Sequence, residues 1–146
     1  MTAPHEVVVR EIGKGYAQEI RAGRHELRAD EPVASGGTDS GPDPYALLLA
    51  ALGACTSMTI RMYANRKGWP LTGVTVRLSQ QKTYAKDCED CETKSDARID
   101  HIEREIELSG DLSAEQRARL VEIAERCPVH RTLINQKTIV TRLAGA

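Results

Sequence analysis

The sequence predicts an α+β protein built from short strands and a buried helix. Three observations lead there. Short stretches alternate apolar and polar residues with period two. An apolar run between them opens at Asp43-Pro44, a helix-start signal. A second start, Ser113 with Gln116 three residues on, has the capping-box pattern. The order is three strands, a helix, two strands, a helix and a strand, in a length of 146 residues that suggests one domain over 1–146.

"HEVVVREIG" and "YAQEIRAGRHELRAD" read as strands broken by Gly13, Gly15 and Gly23. "EPVASGGTDSGPDP" contains three glycines and three prolines, so it reads as a loop. Asp43 can cap the following helix, Pro44 fits its first position, and the helix should run to about Lys67 and stop at Gly68. From Tyr45 to Cys55 it is apolar on every face, the pattern of a helix buried all round, and polar residues enter only at Arg61, Asn65, Arg66 and Lys67. "GVTVRLSQQKTYA" and "ARIDHIEREIELSG" alternate, with Val74, Val76 and Leu78 sharing one face of the first, and Ile102, Ile106 and Leu108 one face of the second. "KDCEDCETKSD" between them is too polar to bury. After Ser113, Leu120, Ile123, Ala124 and Cys127 fall on one helical stripe. Pro128 interrupts it, and a short helix can restart with Cys127 as cap and Pro128 as first residue. "KTIVTRL" closes as a strand.

Composition narrows the partners. Lys and Arg total 20 against 21 Asp and Glu, so no basic excess favours nucleic acid, and no polybasic run favours a membrane surface. With four Tyr, one Trp and no Phe, the core must be aliphatic, and platforms for stacking bases are lacking. The N-terminal segment is charged and has no signal-peptide apolar core. The apolar run Tyr45–Ile60 carries Thr56, Ser57 and Thr59 and is shorter than the ~20 residues of a membrane span. The expectation is a cytoplasmic protein whose thiols stay reduced.

Four cysteines then need roles. Cys55, in "LGACTSMT", is on pattern alone a buried structural thiol, although Gly53 and Ala54 would let a substrate approach. Cys127, at a helix start with His130 three residues on, meets conditions that lower a thiol pKa; equally, Cys-Pro can be a plain kink and His130 an exposed polar residue. Cys88-x-x-Cys91 lies among acidic residues that oppose thiolate formation, which weakens a redox reading. Cys88, Cys91, Cys127 and His130 together form a permissible zinc set, which would occupy Cys127.

"GPDPYALLLAALGACTSMT" followed by "CPVHRTL" resembles the OsmC-like proteins, which include the OsmC and organic hydroperoxide resistance (Ohr) proteins. "ADEP", "GG" and "MYANRKGWPL" point to one OsmC-like branch. The resemblance implies an intertwined homodimer with antiparallel sheets wrapped around central helices and sites at the subunit interface. It implies a thiol peroxidase acting on organic hydroperoxides in oxidative-stress defence, with no bound cofactor. Cys55 would attack the peroxide, Cys127 would resolve the sulfenic acid, and an external dithiol such as a lipoyl group would reduce the disulfide. The relatives also use an Arg before the central helix, for which Arg28 is the candidate. They use a Glu near the helix start, where this chain has Ala46. That missing Glu keeps a non-enzymatic, small-ligand-binding dimer as the alternative, beside a zinc-stabilised structural protein.

Overall fold

The computed structural model describes residues 5–84 and 98–145. It comprises two compact units, Met1–Ala50 and Ala51–Ala146.

The first unit carries an antiparallel meander of β1 (Val7–Glu11), β2 (Gln18–Ala22) and β3 (His25–Ala29). The β2–β3 turn holds Gly23 at φ 61°, a conformation that costs a residue without Cβ little, and sets Ala22 opposite His25. The glycine- and proline-rich loop after β3 is irregular, as its composition predicts, but it is organised by one buried side chain. Asp30 is 2% exposed. Its Oδ2 accepts from the Thr38 hydroxyl at 2.6 Å, the Ser40 hydroxyl at 2.7 Å and both residues' N–H groups, and Oδ1 accepts from the Glu31 N–H. Hydrogen bonds led by those from Thr38 and Ser40 hold this carboxyl far below the usual carboxylate range. The wrap is so close that a Cβ on Gly37 would lie 2.0 Å from the Glu31 carbonyl oxygen.

Helix α1 (Pro44–Lys67) has the expected bounds. Asp43 Oδ1 accepts from the Ala46 N–H at 2.7 Å, which closes its start. At its end Gly68 takes φ 70°, and Trp69 N–H and Gly68 N–H bond back to the Ala64 and Asn65 carbonyls. Within the single chain the helix expected to be buried all round is covered along one stripe. Its buried residues are Leu52, Gly53, Thr56, Ile60 and Ala64, one stripe only. Tyr45 is 55%, Met58 64% and Met62 70% exposed. The reason is geometric: apolar residues ring the helix, and the elements of one chain cover one side. On length and hydropathy alone α1 would also qualify as a membrane-crossing helix. Ile60 and Ala64, however, sit in a packed protein core, the situation of a core helix.

The second unit continues with β4 (Leu71–Tyr84) and β5 (Arg98–Gly110), an antiparallel pair. Val74, Val76 and Leu78 share one face of β4, and Ile102, Ile106 and Leu108 share one face of β5, as their alternation predicts. Gly53 lets α1 approach this sheet, since a Cβ there would lie 2.8 Å from the Leu78 side chain. Helix α2 (Ala114–Ala124) begins with the expected capping box of Ser113 and Gln116. Its Leu120 and Ala124 join Ile60, Ala64, Leu71 and Leu112 in the core. Helix α3 (Pro128–Ile134) follows the Cys127 cap. The strand expected over "KTIVTRL" does not form. Residues 136–143 are irregular, with Ile139, Val140 and Leu143 80–90% exposed. A strand needs a neighbour for its N–H and C=O groups, and β4 and β5 pair only with each other among the described residues.

Two stability measurements follow. Leu120 is fully buried, so Leu120→Ala should cost about 2–5 kcal/mol in denaturant unfolding, by lost transfer energy plus cavity. Because folding depresses the Asp30 pKa, its contribution is complete above the ordinary carboxylate pKa, about 3.9, and is lost as pH falls toward the folded value. Asp30→Asn should lower the melting temperature near neutral pH and flatten its fall in acid; a parallel pH profile would disprove this account.

Candidate functional site

The candidate site lies within the second unit, where α1, β5 and the α2–α3 junction converge. Its organising break is Pro128, which has no N–H with which to continue a helix. α2 therefore ends, and Cys127 adopts extended backbone at φ −60° and ψ 133°. Its own N–H bonds the Ala124 carbonyl at 3.2 Å, so the turn leaves no orphan donor there. The Cys127 sulfur faces the first turn of α3 and accepts from the His130 N–H at 3.3 Å. This sulfur-capped helix start is the arrangement that the sequence allowed, and it replaces a continuous stripe. Cys127 is fully buried.

Cys55 and Thr56 project from the facing helix α1. Thr56 is fully buried, donates to the Leu52 carbonyl at 2.7 Å and stands 4.0 Å from the Cys127 sulfur. Cys55 is half-buried, and no disulfide joins it to Cys127. The two thiols are close enough for each to alter the other's ionisation. Burial pushes the Cys55 thiol up, the Val129 N–H pulls it partly back, and the neighbouring Cys127 sulfur pushes it up again. Burial also works against Cys127 ionisation, but hydrogen bonds led by those from the His130 N–H and the Cys55 thiol outweigh it, and its pKa falls. The two shifts run in opposite directions, and Cys127 is the more acidic thiol of the pair.

The third element contributes Arg104, which sequence reasoning passed over. It stands on β5 between Ile102 and Ile106, on the face that alternation assigns to the apolar side. Its side chain is 11% exposed. Nη1 donates to Thr56 Oγ1 at 3.0 Å and Nη2 meets His130 Nδ1 at 3.1 Å. An arginine can only donate, so Nδ1 must accept and the ring proton must sit on Nε2. Nε2 faces Glu125 Oε2 at 3.2 Å. The His130 imidazole is therefore engaged at both nitrogens and serves Arg104 and Glu125, while its backbone N–H serves the thiol. The signal for Arg104 was available: a charged residue at a core register position of an otherwise apolar strand face.

Arg28 belongs to the first unit, exposed on β3 opposite Glu19. Cys88 and Cys91, half of the zinc set, lie outside the described residues. Among the described residues no three His, Cys, Asp or Glu side chains are grouped to hold a metal. His130 could ligate only by surrendering a bond that it already makes. Ala46 gives its N–H to Asp43 Oδ1, so Asp43 serves as the helix cap.

A family model described as OsmC-like protein matches residues 37–142. A search of curated proteins found no significant match. Among solved structures, the chain is similar to an osmotic stress induced and detoxification response protein from Psychrobacter arcticus, with TM-score 0.70 and 18% identity over 90% of each chain. It is similar to an organic hydroperoxide resistance protein OsmC from Legionella pneumophila, with TM-score 0.65 and 20% identity over 92% of this chain and 91% of that one. A third similarity is to the organic hydroperoxide resistance protein OhrB of Bacillus subtilis, with TM-score 0.60 and 19% identity over 90% and 91%. At these identities the likeness concerns the fold.

The thiol assignment is testable by ultraviolet thiolate titration in a Cys88→Ser/Cys91→Ser background. With Cys55→Ser added, the remaining thiol should titrate below the ordinary cysteine range; with Cys127→Ser added, it should titrate above. The reverse order would refute the assignment.

Proposed function

The chain belongs to the OsmC-like protein family, and from that premise we propose that it is a thiol-dependent peroxidase that reduces organic hydroperoxides through Cys55 and Cys127. The observation that carries this reading is the meeting of two free thiols, one half-buried and one fully buried, whose pKa values are shifted in opposite directions within a single site.

The half-buried Cys55 is the one that an incoming hydroperoxide reaches first. As its sulfur attacks the outer peroxide oxygen, its proton passes to the Cys127 thiolate and the O–O bond breaks. The alkoxide leaves as an alcohol by taking that proton from Cys127. Cys55 is then a sulfenic acid and Cys127 is again a thiolate. Cys127 attacks the Cys55 sulfur, the hydroxyl departs as water with one proton from solvent, and a disulfide remains. An external dithiol, with a lipoyl group as one chemical candidate, reduces it by exchange and becomes a disulfide itself. No bound cofactor is needed. The reducing cytoplasm and oxidative-stress defence are the setting that suits such a cycle.

A homodimer is part of the same proposal. The exposed apolar side of α1, the exposed Val7, Val8 and Val9 of β1 and the unpaired Ile139, Val140 and Leu143 are surfaces that a second copy would cover. Arg28 remains the candidate for a guanidinium that reaches substrate at such an interface.

The deciding experiment follows clearance of cumene hydroperoxide with a dithiol reductant. Cys55→Ser should fall to the buffer rate. Cys127→Ser, which lacks both the proton acceptor and the resolving thiol, should clear far more slowly than the parent, and without reductant any oxidised Cys55 should be found as sulfenic acid. Apolar ligand binding by a parent protein that clears no hydroperoxide would favour the non-enzymatic alternative.

A further inference from the structure

We propose that Arg104 is the positioning residue of this dithiol, a buried guanidinium that locks the Cys55-bearing and Cys127-bearing helices in register for disulfide formation. The role deepens the dithiol reading above.

Three observations support it. The first is placement. β5 presents Ile102, Arg104, Ile106 and Leu108 to one side, and a charge among aliphatic neighbours is retained against a desolvation cost. The second is the division of its bonds. Nη1 bonds Thr56 on α1, the residue next to Cys55; Nη2 bonds His130 on α3, whose backbone N–H holds the Cys127 sulfur. One rigid planar group therefore ties the two sulfur-bearing segments, and its fork fixes their separation. The third is charge balance. The groups facing it are neutral Thr56 on α1, neutral His130 on α3 and Glu125 at the end of α2, the last 4.0 Å away and 65% exposed. No carboxylate meets the guanidinium at hydrogen-bond distance among the described residues. The positive charge is left under-neutralised beside the place where Cys127 becomes anionic, with Thr56 Oγ1 touching the cation and standing 4.0 Å from that sulfur.

The test uses a readout that does not require peroxidase activity. In the Cys88→Ser/Cys91→Ser background, diamide converts Cys55 and Cys127 to a disulfide. The two thiols give up two protons and two electrons, and the azo bond of diamide is reduced to a hydrazine. Arg104→Gln should slow this step on the order of tenfold to a hundredfold. It should also raise the Cys127 titration midpoint measured with Cys55→Ser. Arg104→Lys, which keeps the charge but not the fork, should recover the midpoint while bond formation stays slow. Arg77→Gln, on the outer face of β4, should match the parent in both. Thr56→Val leaves the guanidinium in place and cuts its link to α1, so it should slow bond formation even if Arg104→Gln fails to fold. Parent-like diamide kinetics in folded Arg104→Gln, or in Thr56→Val, would overturn the proposal. A parent that forms the disulfide quickly but clears no hydroperoxide would defeat the peroxidase reading and leave this one standing.

Discussion

A guanidinium on the apolar face of a strand must find partners or be expelled, and the second unit is arranged around meeting that demand for Arg104. Hydrogen bonds to Thr56 and His130 satisfy it from two directions, and Glu125 screens it from a third. Each of these groups is fixed by something older in the chain order. Thr56 is turned inward because it sits on the stripe of α1 that packs into the core. His130 is brought near because Pro128 stops α2 and restarts the helix one residue past Cys127. Glu125 is available because it is the C-cap of that interrupted helix. The dithiol is thus a by-product of satisfying one buried cation as much as it is a feature of two cysteines.

Most of the scaffold was legible because its signals are local. The Asp43 cap, the Gly68 stop, the Ser113–Gln116 box and the Cys127-Pro128 restart each depend on a few adjacent residues, and all four stand where the sequence puts them. What failed was non-local. "KTIVTRL" has strand composition, but a strand exists only with a neighbour, and composition does not supply one. The all-round apolar α1 was correctly seen as unusual, yet burial depends on what covers a helix, and one chain covers a single stripe. In the site, the local acidity of Cys127 was readable from its place at a helix start. The link from β5 was not read, because Arg104 acts across sequence distance, and its placement inside an alternating apolar face was the only local trace.

The two thiols also show how similar chemical groups are made different by surroundings. Cys55, midway along a continuous helix, has no unsatisfied backbone N–H of its own turn to stabilise an anion. Cys127, at the break between two helices, has the His130 N–H directed at its sulfur. The asymmetry therefore begins with backbone topology, which a proline encodes. Asp30 illustrates the same economy in the first unit, where one carboxylate sets the path of a loop that has almost no regular structure.

The double engagement of His130 has a mechanical consequence. An imidazole that meets a guanidinium at Nδ1 and a carboxylate at Nε2 cannot turn about its side-chain bonds without breaking one of the two contacts. The ring is a strut between β5 and the end of α2, and the backbone N–H of the same residue meets the Cys127 sulfur. A displacement of β5 or of the end of α2 is therefore passed to the turn that holds that sulfur.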